Sequence, residues 1–192
     1  MKLVLASTSK FKSAIMDKVK MKHVCIKSDF EEVSSSNDVY KYVKDLAYGK
    51  ALSVDKMVSN AIIVGIDTIV YMDNKIIEKP KSIEEARNNL KMASGKTTLV
   101  ITGICLINQE KNKIIKTFQE SKVIMNKISD EDIDFYINNE PDIMYASGFI
   151  IETVASNFIN KIDGSFYNIL GVPVEKIYEN LLKWDIHLKD LD

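Results

Sequence analysis

Hydrophobic and polar positions alternate along this chain in two distinct periods, and the densest run organises the rest. In Ile62–Pro80, the residues Ile62, Ile63, Val64, Ile66, Ile69 and Val70 are β-branched and nearly continuous, the pattern of a strand buried on both faces. Asp73-Asn74 then reads as a turn, and Ile76-Ile77 as a short returning strand. Leu3–Ala6 predicts a short buried first strand and His23–Lys27 a second. Leu99–Ile107 and Ile114–Met125, joined across Gln109–Lys113, predict a long antiparallel hairpin. Phe158–Ile162 is the last expected strand, turned by Asp163-Gly164.

Helical spacing fills the gaps. Phe11, Ala14, Ile15 and Val19 mark a helix to about Lys20. Asp38 is placed to cap a long helix to about Met57, with Val39, Val43, Leu46, Ala47 and Lys50 along one side. Ser82 with Glu85 forms a capping-box signature for a helix to about Ala93, where Gly95 acts as a stop. Ser129–Asp132 opens another helix to about Asn138, ended by Asn139–Pro141, and Ala146-Ser147-Gly148 begins an irregular segment. Pro173 sits at the first turn of a final helix whose apolar face is Val174, Ile177, Tyr178, Leu181, Leu182 and Trp184. The order of elements predicts an α/β fold with a mixed sheet and flanking helices, one domain over 1–192 with room for two lobes.

Composition narrows the function. Lys plus Arg number 26 against 27 Asp plus Glu, a net charge of −1, which argues against a general nucleic-acid or membrane binder with a basic stripe. Two histidines, His23 and His187, exclude a multi-histidine zinc site. Cys25 and Cys105 lie apart in apolar segments and read as core thiols in a reducing compartment, with a disulfide as the alternative. The apolar run Leu3–Ala6 is too short for a secretory signal, and no run approaches a membrane span. A cytoplasmic protein is expected.

Within the central strand Asp67 stands out, since a carboxylate there is costly to desolvate unless a cation, a metal or several donors meet it. Lys79 precedes Pro80 in extended backbone. Either the pair faces one polyanionic, metal-bound substrate, or Asp67 is satisfied by backbone donors beside a solvated lysine. Ser7-Thr8-Ser9, between a strand and a helix start, suits an anion, with Lys10 and Lys12 adding charge. The same turn serves equally if Ser9 only caps the helix. Asp29-Phe30-Glu31-Glu32 is an acidic cluster, either a solvated loop or a source of oxygen ligands for magnesium. Lys50 beside its apolar stripe either points into a cleft or snorkels to water. Ser94-Gly95-Lys96-Thr97 is no P-loop: Leu90 stands where the first glycine belongs, and helix and strand flank it in reverse order.

Together these stretches resemble the Maf family of nucleoside triphosphate pyrophosphatases over essentially the whole chain. The resemblance is carried by Leu5-Ala6-Ser7-Thr8-Ser9, Glu32, Leu46-Ala47 with Lys50-Ala51, Gly65-Ile66-Asp67-Thr68-Ile69-Val70, Lys79-Pro80, Ser94-Gly95, Thr102-Gly103, Gly164-Ser165, Asn168 and Gly171-Val172-Pro173. It implies an inosine-triphosphatase-like fold, two lobes around a cleft, often as a homodimer. It also implies hydrolysis of a nucleoside triphosphate to monophosphate and pyrophosphate with a divalent metal, Mg or Mn. By resemblance, Asp67 is the water-activating base and Glu32 helps hold metal or water, so that both are the metal candidates. Ser7, Lys12, Lys50 and Lys79 would grip the phosphates.

The departures bear on the substrate. The family's S-P-R-R is Ser9-Lys10-Phe11-Lys12 here, and lysine lacks arginine's bidentate fork. Phe11 and Glu152 look like the branch acting on 7-methyl-GTP, whereas Thr68 matches the dTTP/UTP branch, so the substrate is left between them. The alternative function is a non-catalytic interaction protein affecting cell division, after the family's old name of septum-formation inhibitor.

Overall fold

The β-branched run becomes a long, largely buried strand. In a computed structural model describing residues 1–147 and 149–192, it spans Ala61–Met72 (β3) and is covered along almost its whole length. Of the irregular segment expected at Ala146-Ser147-Gly148, Gly148 lies outside the described residues. β1 (Lys2–Leu5) pairs in parallel with β2 (Val24–Cys25) on one side and with β3 on the other. Asp73 and Asn74, both with positive φ, turn β3 back into the antiparallel β4 (Lys75–Ile77), the conformation Asn and Asp tolerate best after glycine. The expected hairpin is β5 (Thr97–Asn108) and β6 (Lys113–Met125), followed by β7 (Ile159–Asp163) antiparallel to β6. Among the described residues the sheet is seven-stranded and mixed, in the order β2-β1-β3-β5-β6-β7 with β4 also on β3.

The chain divides into two compact units, whose boundaries fall inside β3, β5 and β6. The first comprises Met1–Thr68, Ile101–Gln119 and Phe166–Asp192. Here α1 (Lys10–Lys18) is capped by Ser9, and α2 (Val39–Asp55) by Asp38, which accepts from the Tyr40 and Lys41 amides. Period-two alternation sorts β3 onto two faces. Ile62, Val64 and Ile66 join Leu3, Leu5, Ile15 and Met16 and the apolar side of α6 (Val174–Leu182). Ala61 and Ile63 join Val4, Cys105 and the α2 residues Ala47, Ala51 and Val54. Helices thus cover both faces. Between β7 and α6 the sequence reading missed the four-residue α5 (Phe166–Ile169).

The second unit comprises Ile69–Val100 and Glu120–Ser165. Its core packs α3 (Ile83–Ala93) against α4 (Asp130–Asn139) through Ala86, Leu90, Ile133 and Tyr136, joined by Ile143 and Ala155. Arg87, the one arginine, ion-pairs with Asp134 across these helices. Ser82 caps α3 as expected, but Glu85 reaches back to the Lys81 amide rather than to that of Ser82.

Other expectations need correcting. Cys25 is exposed, because β2 is a two-residue strand at the sheet's edge; only Cys105 is a core thiol, and both are free. Leu182 is exposed and Asn180 is buried on α6, and Pro173 caps that helix rather than opening its first turn. No helix among the described residues is long and apolar enough to cross a membrane.

Candidate active site

Asp67 shares its face of β3 with Gly65, two residues earlier, and that face meets α2. The contact is closer than any side chain permits: a β-carbon on Gly65 would lie 2.1 Å from the Ala47 carbonyl oxygen and 2.8 Å from the Ala51 nitrogen. On β5, a β-carbon on Gly103 would lie 2.0 Å from the Val43 oxygen. Two strand glycines therefore let the α2 backbone rest directly on the sheet. Lys50, on the same turn as Ala47 and Ala51, comes down over Asp67 as a result. The sequence motif contained both glycines, but only the packing shows that they set the reach of Lys50.

The Lys50 ammonium donates to Asp67 Oδ1 at 2.5 Å and pairs with Glu32 Oε1 at 2.7 Å. The Lys50 and Asp67 side chains are 13% and 10% exposed, whereas that of Glu32 is 61% exposed. Of the two readings of Lys50, the inward one holds. Burial works to lower its pKa, but the charges and hydrogen bonds of Asp67 and Glu32 outweigh it, so the ammonium is held above its ordinary range. At neutral pH Lys50 is a fixed cation, unable to act as a base. Asp67 is thus met by a cation, rather than by backbone donors alone.

Glu32 arrives from the loop after β2. Phe30, two residues earlier, stacks on Gly49 of α2: a β-carbon there would lie 2.3 Å from the ring. Sequence reasoning passed over this aromatic inside an acidic run; a glycine in the interior of a long helix was the signal for it.

The phosphate candidates at the start of the chain lie beyond the end of β1, whose strand order places it between β2 and β3. In the order β2-β1-β3 the chain leaves β1 to one side and later returns on the other, so the switch point at which open α/β sheets bind ligands lies between β1 and β3. Ser9 Oγ accepts the Lys12 amide at 3.3 Å, so Ser9 caps α1. Ser7 Oγ accepts the Ser9 amide at 3.2 Å, which leaves its hydroxyl proton to donate elsewhere. Lys12 Nζ donates to the carbonyl of Ile66, the neighbour of Asp67, at 3.3 Å. Thr68 faces away from Asp67 and is bonded to Thr102 Oγ1 at 2.9 Å and to the Gly171 carbonyl at 3.4 Å. Phe11 is 50% exposed on α1. Lys79 and Glu152 belong to the second unit, and both are exposed. Glu152 sits on a segment fastened at Ile150, whose amide donates to the Tyr136 hydroxyl at 2.7 Å, and at Thr153, which bonds to the buried Glu140.

The donors suit a hard divalent cation. Among the described residues no group of three or more His, Cys, Asp or Glu converges, but magnesium takes only one or two carboxylates and fills its octahedron with water and substrate oxygens. Glu32 and Asp67, drawn to one ammonium, are such a pair.

The family model described as Maf-like protein matches residues 2–184. A dTTP/UTP pyrophosphatase of Clostridium perfringens (strain SM101 / Type A) is 34% identical over 97% of this chain and 98% of its own. One from Caldanaerobacter subterraneus subsp. tengcongensis is 36% identical over 98% of this chain and 91% of its own. In fold, the solved Staphylococcus aureus Ham1 protein is similar with a TM-score of 0.54, covering 97% of this chain and 100% of that one at 14% identity, which agrees with the inosine-triphosphatase-like fold. With a family match running almost end to end and relatives aligned over nearly their full lengths, the chain belongs to the Maf family.

Proposed function

We propose that this chain hydrolyses the α–β phosphoanhydride of dTTP and UTP, releasing the nucleoside monophosphate and pyrophosphate. The observation that carries this reading is the Lys50 bridge, which holds a buried carboxylate and an exposed one around a single cation. The names of the relatives supply the substrate, and Thr68 agrees with them.

Water attacks the α-phosphorus, and Asp67 takes its proton through the oxygen that Lys50 leaves unengaged. The bond to the bridging oxygen breaks, and pyrophosphate leaves with that oxygen. Lys50 keeps its charge throughout, orienting Asp67 and offsetting negative charge on the substrate. Ser7 and Lys12 hold the phosphates beside it. Each charge-assisted hydrogen bond contributes roughly 1.5–3 kcal/mol, enough for several lysines to bind a triphosphate without an arginine. A magnesium or manganese ion, held by Glu32 and Asp67, would neutralise phosphate charge and ease ionisation of water. A substrate drawn from free nucleotide pools supports a cytoplasmic location.

The test is incubation with dTTP, UTP, 7-methyl-GTP and the common nucleotides, with Mg or Mn, resolving all phosphate products. Equal amounts of pyrophosphate and monophosphate from dTTP and UTP are expected. Release of orthophosphate and diphosphate, or no cleavage of any triphosphate, would overturn the reading.

A further inference from the structure

We propose that Phe30 is the residue that positions Glu32, and that Gly49 serves as the seat of its ring; this rests on the pyrophosphatase reading above. The loop after β2 runs along α2 against the direction of the helix. Ser28 Oγ meets Ser53 Oγ at 2.8 Å, Phe30 lies on Gly49, and Ser34 Oγ donates to Asp45 Oδ2 at 3.2 Å. Asp45, Gly49 and Ser53 are spaced four apart and form one stripe on the helix. Glu32 lies between the second and third of these fastenings, and Lys50 follows the residue under the ring.

Gly49 has no conformational reason to be glycine. It sits inside a 17-residue helix and is not among the glycines with positive φ. Glycine weakens a helix interior relative to alanine. What the position provides is space: three ring atoms of Phe30 would lie 2.3 to 2.6 Å from a β-carbon there. The ring occupies the volume in which any other side chain would begin.

The ion pair with Lys50 does not by itself explain where Glu32 stands. That side chain is 61% exposed, and exposed ion pairs are too weak to order a loop. The serine contacts are likewise at part-buried hydroxyls. Ile26 anchors the start of the loop on the α2 cluster, but the ring is the large apolar contact nearest Glu32 in sequence, and a cavity of about 440 Å³, lined by Phe30, Val33, Ser34, Tyr48, Gly49 and Leu52 among others, gives it somewhere to go if displaced. Seating on Gly49 therefore decides the loop's register against Lys50.

The experiment measures pyrophosphate release by wild type and by Phe30→Ala, Phe30→Leu, Gly49→Ala and Glu32→Ala, with unfolding curves for each. Phe30→Ala and Gly49→Ala should each lower kcat about 10- to 100-fold, the usual effect of misplacing an active group by about 1 Å, with KM moved less. Phe30→Leu should recover most of the loss. Gly49→Ala should be silent once Phe30 is alanine, and Phe30→Ala silent once Glu32 is alanine, because each acts through the next. If wild type releases no pyrophosphate, or Glu32→Ala is fully active, the reading of the reaction fails, and this inference with it. If Glu32→Ala is impaired while Gly49→Ala and Phe30→Ala keep full kcat, the inference alone fails. Losses that simply multiply in the double variants would reduce Phe30 to a structural residue and also overturn it.

Discussion

Gly65→Ala tests how the fold brings Lys50 to Asp67. The added β-carbon would lie 2.1 Å from the Ala47 carbonyl oxygen, 2.8 Å from the Ala51 nitrogen and 2.9 Å from the Ala51 β-carbon, where ordinary contact begins near 3.4 Å. Two of these neighbours are backbone atoms, so no side-chain rotation relieves the clash. Helix α2 must withdraw by roughly 1 Å, and overpacking of this kind costs about 1–3 kcal/mol. The withdrawal also stretches the 2.5 Å bond from Lys50 to Asp67, and a hydrogen bond to a charged group contributes about 1.5–3 kcal/mol. Displacing the bridge on this scale should lower kcat about 100-fold. Denaturant unfolding reads the stability loss, and initial rates of pyrophosphate release read the catalytic one, on protein that remains folded. Were Gly65→Ala to keep both its stability and its kcat, close approach of α2 would not be what places Lys50.

Two further predictions concern titration and reactivity. Because the folded pKa of Lys50 is raised above its ordinary 10.5, the stability it contributes is complete below that value and is lost only as pH climbs through the higher, folded one. NMR of its terminal methylene should show no deprotonation between pH 6 and pH 10, and a midpoint in that window would contradict the bridge. Burial pushes the Cys105 thiol up to about 12, so iodoacetamide at pH 8 should add one label, at exposed Cys25, and reach Cys105 only on unfolding. Labelling of Cys105 in native protein would refute its place in the core.

Much of this was legible in residue order. The β-branched run from Ile62 dictated β3, Asp38 and Ser82 announced their helices, and Asp73-Asn74 announced a turn. Local pattern left Lys50 undecided, because a lysine beside an apolar stripe is compatible with snorkelling or with burial. What decides it is the absence of a β-carbon at Gly65, on another element 15 positions away in sequence. A glycine inside a strand signals close backbone approach, though not which backbone. Cys25 was misjudged because five apolar-leaning residues suggested a strand, whereas only two pair, at an edge. Phe30 escaped notice because loops are read by their charges, and its partner is a hydrogen atom.

Catalysis here turns on Asp67 as the group that receives the proton of the attacking water. Asp67→Asn preserves shape and leaves Lys50 an oxygen to bind, so the protein should still fold, with its stability lowered by the lost charge, while kcat for dTTP and UTP drops about 10²- to 10⁴-fold. Pyrophosphate release by Asp67→Asn at the wild-type rate would contradict it.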